Sequence, residues 1–317
     1  MRILYIYNDY RKRRKMYGDI MSSLGYDVKY LNIIHKREKN TICVKHIKKH
    51  NPDVIFIRTP YYVSHGMSGE TISYIKSKNI PLVIYSTINP SLTYQEQLKI
   101  WKKIDISFVI NKEFCIFLRK EGVNAHYIPI GFHPSQYYKG ISSKKLYDVS
   151  FMGSALKNGE PKRVKYLQYL IDKGYKVGVY GIRFDKSIKK SLVKSFRSHE
   201  EQRNVYSKTK INLDFPFIDG CDFYRNKYHF KNRFFEIPAT GNFMLALRHP
   251  EFLDIFEEDT IGYYDDNKES LKENVKRYLK DERLREKMAI KAYKIVHEKH
   301  TFRHRFEEIF KILEREL

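Results

Sequence analysis

Cysteine is nearly missing from this chain. Its three examples, Cys43, Cys115 and Cys221, stand far apart and form no C-x-x-C pair. That argues against a disulfide framework and a zinc knuckle and leads us to expect a reducing compartment. Long hydrophobic runs are absent too. No window approaches the roughly 18 apolar residues of a membrane span, and the opening run RILYIY is too short for the apolar part of a signal peptide. The expected location is therefore cytoplasmic, with peripheral contact to a membrane open through basic patches. Acidic residues are the third shortage: 37 Asp and Glu face 60 Lys and Arg, a formal charge of +23. Such an excess suits phosphates, anionic headgroups, acidic glycans or nucleic acid as partners. A chain rich in Lys, Ile, Tyr and Asn is equally what an AT-rich genome produces, so charge alone selects none of them.

What is present is globular. An apolar share of 42% with 15% aromatics excludes a disordered chain, and 317 residues are comfortable as two domains. Short apolar runs alternate with helix-period stretches from the start: strands at 2–7, 27–32, 53–58, 81–86, 105–110 and 125–130, with helices between them. That alternation predicts a parallel, doubly wound sheet over residues 1–135. The segment PIGFHPSQYYKGISSKK (129–145) breaks the rhythm and reads as a linker. A second cycle covers 145–300, with strands at 147–154, 176–181, 210–216, 242–247 and 260–264, and a charged helical stretch up to about 208. The terminal helix, 301–317, is expected to pack back on the N-terminal domain. The fold class is α/β, two Rossmann-like domains with an interdomain cleft and a C-terminal helical section, and ligands are expected at the carboxyl ends of the sheets.

Two stretches carry the chemistry. In FMGSALKNGEPKR (151–163) a strand ends at Gly153 and Ser154, the loop holds Lys157, and Arg163 opens the next helix. Backbone N–H groups at a helix N-terminus attract anions, and nearby cations complete a phosphate site; the spacing is not that of a P-loop. In RFFEIPATGNFMLAL (233–247), Arg233 and Glu236 sit one helical turn apart in an otherwise apolar run. Unpaired and buried, each would cost several kcal/mol. Either they form an ion pair on a helix surface, or the carboxylate accepts two hydrogen bonds from vicinal hydroxyls while the guanidinium meets a phosphate.

The order strand-MGS, basic helix, KVGVYG, RFFEIPATGNF, then helices ending HTFRHR resembles the GT-B glycosyltransferases, most closely their spore-maturation CgeB-like branch. The likeness covers the second domain and, more loosely, the IPIGFHPSQYY linker. It implies a sugar transferred from a nucleotide-diphosphate donor, expected to be a UDP-sugar, to a glycan or protein acceptor. It also implies ribose binding by Glu236, phosphate binding by Arg233, and a diphosphate loop at Gly153 and Ser154 with Lys157 and Arg163 beside it. The second domain is also similar to phage DNA β-glucosyltransferases, which makes hydroxylated bases in DNA an alternative acceptor. A non-catalytic nucleotide- or nucleic-acid-binding protein on the same shell is the third reading.

Two departures bear on mechanism. Eight residues before Glu236, where many retaining members carry an acid, stands Tyr228, so that sugar contact is either missing or supplied by Asp219 or Asp222, and both retention and inversion stay open. Where the phage enzymes have an aspartate base, after the fourth strand, stands Thr87, which cannot serve as a base near neutrality. Candidate catalytic residues in the first domain are His65, in YYVSHGMSG, and Asp9, with Asp19 across the same loop. RKRRK (11–15) could guide an anionic acceptor, and Tyr10, Tyr61 and Tyr62 could stack on it. No metal is expected: Glu257-Glu258-Asp259 and Asp265-Asp266 lack ligand-spaced His or Cys partners. No separate cofactor is expected, the nucleotide sugar being the substrate.

Overall fold

Strand-forming runs become strands where expected. The computed structural model describes residues 1–7, 15–32, 39–58, 67, 69–87, 92–140, 142, 144–153, 162–181, 184, 188, 193–195, 198–216 and 230–317. Among them, β1 (Arg2–Tyr7), β2 (Asp27–Asn32), β3 (Val54–Ile57), β4 (Leu82–Ser86), β5 (Ile106–Val109) and β6 (Ala125–Tyr127) form one sheet in the order β2-β1-β3-β4-β5-β6. A second sheet joins β7 (Tyr147–Met152), β8 (Val177–Tyr180), β9 (Val193–Lys194), β10 (Thr209–Asp214), β11 (Met244–Leu247) and β12 (Gly262–Tyr264) in the order β12-β11-β10-β7-β8-β9. Every pairing is parallel. The α/β architecture with two doubly wound sheets thus agrees with the reading of the sequence. One element differs: the charged stretch before 208, read as helix throughout, supplies the two-residue β9 before the helix His199–Ser207.

The chain divides into two units. The first gathers described residues of Met1–Pro129 and Phe302–Leu317, the second those of Ile130–Gly220 and Asn226–Thr301. In the first unit all four residues of β3 are buried, as a strand covered on both faces requires. Tyr5, Tyr7 and Tyr17 are core residues. The helix Tyr94–Trp101 starts at a capping box, in which the Thr93 hydroxyl accepts from Glu96 N while the Glu96 carboxylate accepts from Thr93 N. Asn111 caps Lys112–Lys120 by accepting from Phe114 N at 2.8 Å. The terminal helix, Phe302–Glu316, drives Phe306 between Tyr17, Phe56 and Tyr85, with ring centroids 5.4, 5.9 and 6.0 Å away. In the second unit, Val149, Phe151, Ile211, Leu213 and Leu245 of the sheet pack with Leu167 and Leu170 of helix Lys162–Asp172 and with Leu271 and Val275 of helix Lys268–Lys280.

Phe306 is fully buried in the first unit although it lies near the end of the sequence. Phe306→Ala should therefore cost about 3–5 kcal/mol, read as a lower urea midpoint for the N-terminal unit. An unchanged midpoint would show that the terminal helix is not part of that core.

Candidate functional site

The site is assembled where β7, β8 and β10 end. Just past β7 and β8 lie Gly153 and Gly181, whose backbones touch: Gly153 N donates to Tyr180 O at 2.9 Å, and a Cβ on Gly181 would fall 1.7 Å from Gly153 O. A Cβ on Gly153 would stand 2.8 Å from the Phe151 ring and 3.1 Å from Arg233 Nη1. Only glycine lets these chain segments and the guanidinium approach so closely.

At the end of β10 sits Asp214, fully buried, in a run of apolar neighbours. Arg233 meets it, with Nε 2.7 Å from Asp214 Oδ1. The rest of the guanidinium is also engaged: Nη1 donates to Met152 O at 3.3 Å, Nη2 donates to Phe215 O, and the plane lies over the Phe151 ring at 4.7 Å. Burial pushes the Asp214 carboxyl up, and the charges of Arg233, Lys231 and Arg163 pull it back down. Three cations thus act on one buried carboxyl, close to the bare backbone of Gly153 and Gly181.

Arg233 and Glu236 belong to the helix Arg233–Ala239, all seven residues of which are buried. Aromatic packing fixes it: Phe234 lies 4.5 Å from Phe252 and 4.9 Å from Phe230, and Phe235 stacks on His300 at 5.2 Å. Behind it, His297 bonds Ala239 O at 3.1 Å. Pro238 removes one internal N–H, the Thr240 hydroxyl donates to Ile237 O, and Gly241, at φ 71°, turns the chain into β11. Glu236 is only 7% exposed. Its carboxylate accepts from Gln202 Nε2 at 3.2 Å and from the side chains of Tyr137 and Asn232. Desolvation raises its pKa from 4.5 to about 7, against the lowering effects of the Tyr137 hydrogen bond and the Arg233 charge.

Gly153, Arg163, Arg233 and Glu236 therefore come together. The surface ion-pair alternative for Arg233 and Glu236 fails: at 8% and 7% exposure neither is on a surface, and the ion partner of Arg233 is Asp214. Ser154, Lys157, His65 and Asp9 lie outside the described residues, as do Tyr10, Tyr61, Tyr62, Asp219, Asp222 and Tyr228. Asp19 is held by Lys15 at 2.6 Å and by the Tyr30 hydroxyl. Thr87 directly follows β4. The late acids are engaged by cations: Glu258 and Asp265 by Arg248, Asp259 by Lys291, Asp266 by Lys162. Sequence reasoning missed Asp214, Tyr137, Gln202 and His199. The signal for Asp214 was a single acid closing the apolar strand INLDFP, which must have a cation nearby; nothing local marked the other three.

Comparison with known proteins adds the following. Residues 163–311, just under half of the chain, match the family described as glycosyl transferase-like. A search of the curated proteins by sequence found no match. Among solved structures, sucrose-phosphate synthase from Thermosynechococcus elongatus superposes with a TM-score of 0.68 over 99% of this chain and 98% of its own, at 10% identity. A UDP-forming α,α-trehalose-phosphate synthase from Burkholderia xenovorans gives 0.62, 98% of each chain and 9% identity. A mutant of S. aureus TarM in complex with fondaparinux, α-GlcNAc-glycerol and UDP gives 0.59, 85% of this chain and 58% of its own, at 13% identity. The chain has the two-domain GT-B fold.

Two stability measurements check the site. Arg233→Ala leaves Asp214 buried without its ion partner and should cost about 3–5 kcal/mol; adding Asp214→Asn should recover much of that loss in urea unfolding. The raised pKa of Glu236 means that the folded chain keeps a proton the unfolded chain releases. Its stabilising contribution is fully present below 4.5 and is lost as pH rises through about 7. Wild type should therefore lose roughly 2 kcal/mol relative to Glu236→Gln between about pH 5 and pH 8, and parallel pH profiles would show that Glu236 is not desolvated.

Proposed function

We propose that the chain is a glycosyltransferase whose second unit holds a nucleotide-diphosphate sugar, a UDP-sugar first among them, and whose first unit receives the acceptor. The observation that carries this reading is the two-ended buried site. Arg163, Arg233 and Lys231 bring positive charge to bear on Asp214 at the strand end, and one helical turn from Arg233 lies the buried Glu236 carboxyl. The first end suits a diphosphate and the second a ribose diol. As the bond from sugar to diphosphate breaks, negative charge grows on the leaving oxygens, and cations already fixed in place stabilise it without reorganisation. The acceptor oxygen forms the new bond and gives its proton to a base, for which His65 and Asp9 are the candidates. The glycosyl transferase-like match over 163–311 and the GT-B fold support the class. The run RFFEIPATGNF supports a place in the spore-maturation CgeB-like branch.

Calorimetry can separate the two ends. Glu236→Gln should weaken UDP binding by about 10-fold or more while leaving inorganic diphosphate unaffected. Arg163→Met should weaken both. UDP affinity unchanged in Glu236→Gln rejects the assignment. Release of UDP from a panel of UDP-sugars without acceptor distinguishes a transferase from a binding protein, which would release none.

The acceptor we favour is a glycan or protein. The formal charge of +23 also favours duplex DNA, whose binding must weaken steeply with salt as counterions are released. Absence of a gel shift at low ionic strength removes that acceptor.

A further inference from the structure

The Glu236 carboxyl is not alone at its end of the site. The Tyr137 hydroxyl, from the first residues of the second unit, meets three groups at once: Gln202 Oε1 at 2.7 Å, His199 Nδ1 at 2.8 Å and the Glu236 carboxyl. The Tyr137 and His199 rings pack edge to face, centroids 5.4 Å apart. Gln202 turns its Nε2 to Tyr206 Oη at 3.1 Å and to Glu236 Oε2 at 3.2 Å, so its Oε1 can only accept.

A phenol has one hydrogen, and that count decides the roles. When Glu236 is protonated, its own hydrogen goes to Tyr137 Oη and the Tyr137 hydrogen goes to Gln202 Oε1. When Glu236 is ionised, as a carboxylate binding a diol must be, the Tyr137 hydrogen turns to Glu236. In both states His199 Nδ1 faces an oxygen with no hydrogen left to give, so Nδ1 itself must carry one and donate it. A hydrogen bond donated to a phenol oxygen makes its O–H a stronger donor in turn.

We propose that Tyr137 and His199 are positioning residues for the ribose end of the donor site: His199 Nδ1–H holds the Tyr137 hydroxyl so that its single hydrogen is aimed at the ionised Glu236 carboxylate. This rests on the donor reading above. The pair acts through Glu236 and needs no contact with the ligand. It favours the charged form that a ribose diol recognises, from a residue 37 positions before Glu236 in the sequence and another 99 before it. The other charged or titratable neighbours are Arg233 on the helix of Glu236, Asp214 beside Arg233, and Tyr206 on the helix of His199. His300 stacks on the adjacent Phe235. On its own helix His199 is followed by Glu200, Glu201 and Arg203, the last bonded to Gln136 O and to Tyr138 Oη.

The test is the pH dependence of UDP affinity by calorimetry. In wild type, affinity should rise with pH through about 7 as Glu236 ionises. Tyr137→Phe removes only the hydroxyl and should move that midpoint up by about one pH unit. His199→Phe should move it the same way by less, and serves as the second variant if the first does not fold. Glu236→Gln should keep only the step that the terminal phosphate of UDP contributes through its own second pKa of about 6, and the midpoints are read after that shared contribution is removed from every profile. If both variants lose affinity by one factor at every pH, with the midpoint unmoved, the residues merely support the fold and the proposal fails. If UDP binds wild type with a step but neither variant alters affinity or midpoint, the proposal fails while the donor reading stands. If UDP binds wild type at no pH, the donor reading fails and takes this inference with it.

Discussion

A carboxylate with no access to water must have a cation against it, and in this protein that requirement organises the end of the second sheet. Asp214 terminates the central strand β10, between β7 and β11, and is completely enclosed. Its ion partner, Arg233, is held by two backbone carbonyls and an aromatic ring as well. The desolvation cost of such a pair is large, and only close geometry with further hydrogen bonds offsets it. The guanidinium can reach its place because Gly153 has no side chain, and Gly153 can sit where it does because Gly181 has none either. Strand ends, glycines and the helix Arg233–Ala239 therefore form one interlocked unit.

The same helix presents a second buried ionisable group one turn further on. Glu236 lies among hydrogen-bond donors, yet desolvation still lifts its carboxyl towards neutrality. A helix with all seven residues buried would ordinarily be apolar all round; the two ionisable groups in this one depart from that rule in the way functional sites do. Each is held by its surroundings: one is paired with a buried carboxyl on which further cations act, the other is a carboxyl whose ionised form is held by hydrogen bonds from distant segments. A ligand carrying phosphates at one end and a diol at the other would satisfy both.

How much of this could be read from residues alone follows from the range of the interactions. Strands such as VIFI and MLAL were legible because both faces of a parallel sheet are covered and the apolar run is continuous. The two-residue β9 was not, since Val193 and Lys194 owe their pairing to Tyr180 and Val179 rather than to local pattern. Arg233 and Glu236 stood out because charge in an apolar run demands an explanation. Their partners did not: Asp214 is 19 residues before Arg233, and Tyr137 and Gln202 converge on Glu236 from distant segments. Spacing made an Arg233–Glu236 pair look natural, while tertiary packing gave Arg233 to Asp214 and Glu236 to Tyr137 and Gln202.

The central claim is that the buried carboxyl of Glu236 grips both hydroxyls of a nucleotide ribose. Its most direct measurement is the affinity of wild type and Glu236→Gln for UDP and for 2′-deoxyuridine diphosphate. Wild type should prefer UDP by about 10-fold or more, and the preference should vanish in the variant. Equal affinity of wild type for the two nucleotides, or an undiminished preference in the variant, would contradict the account.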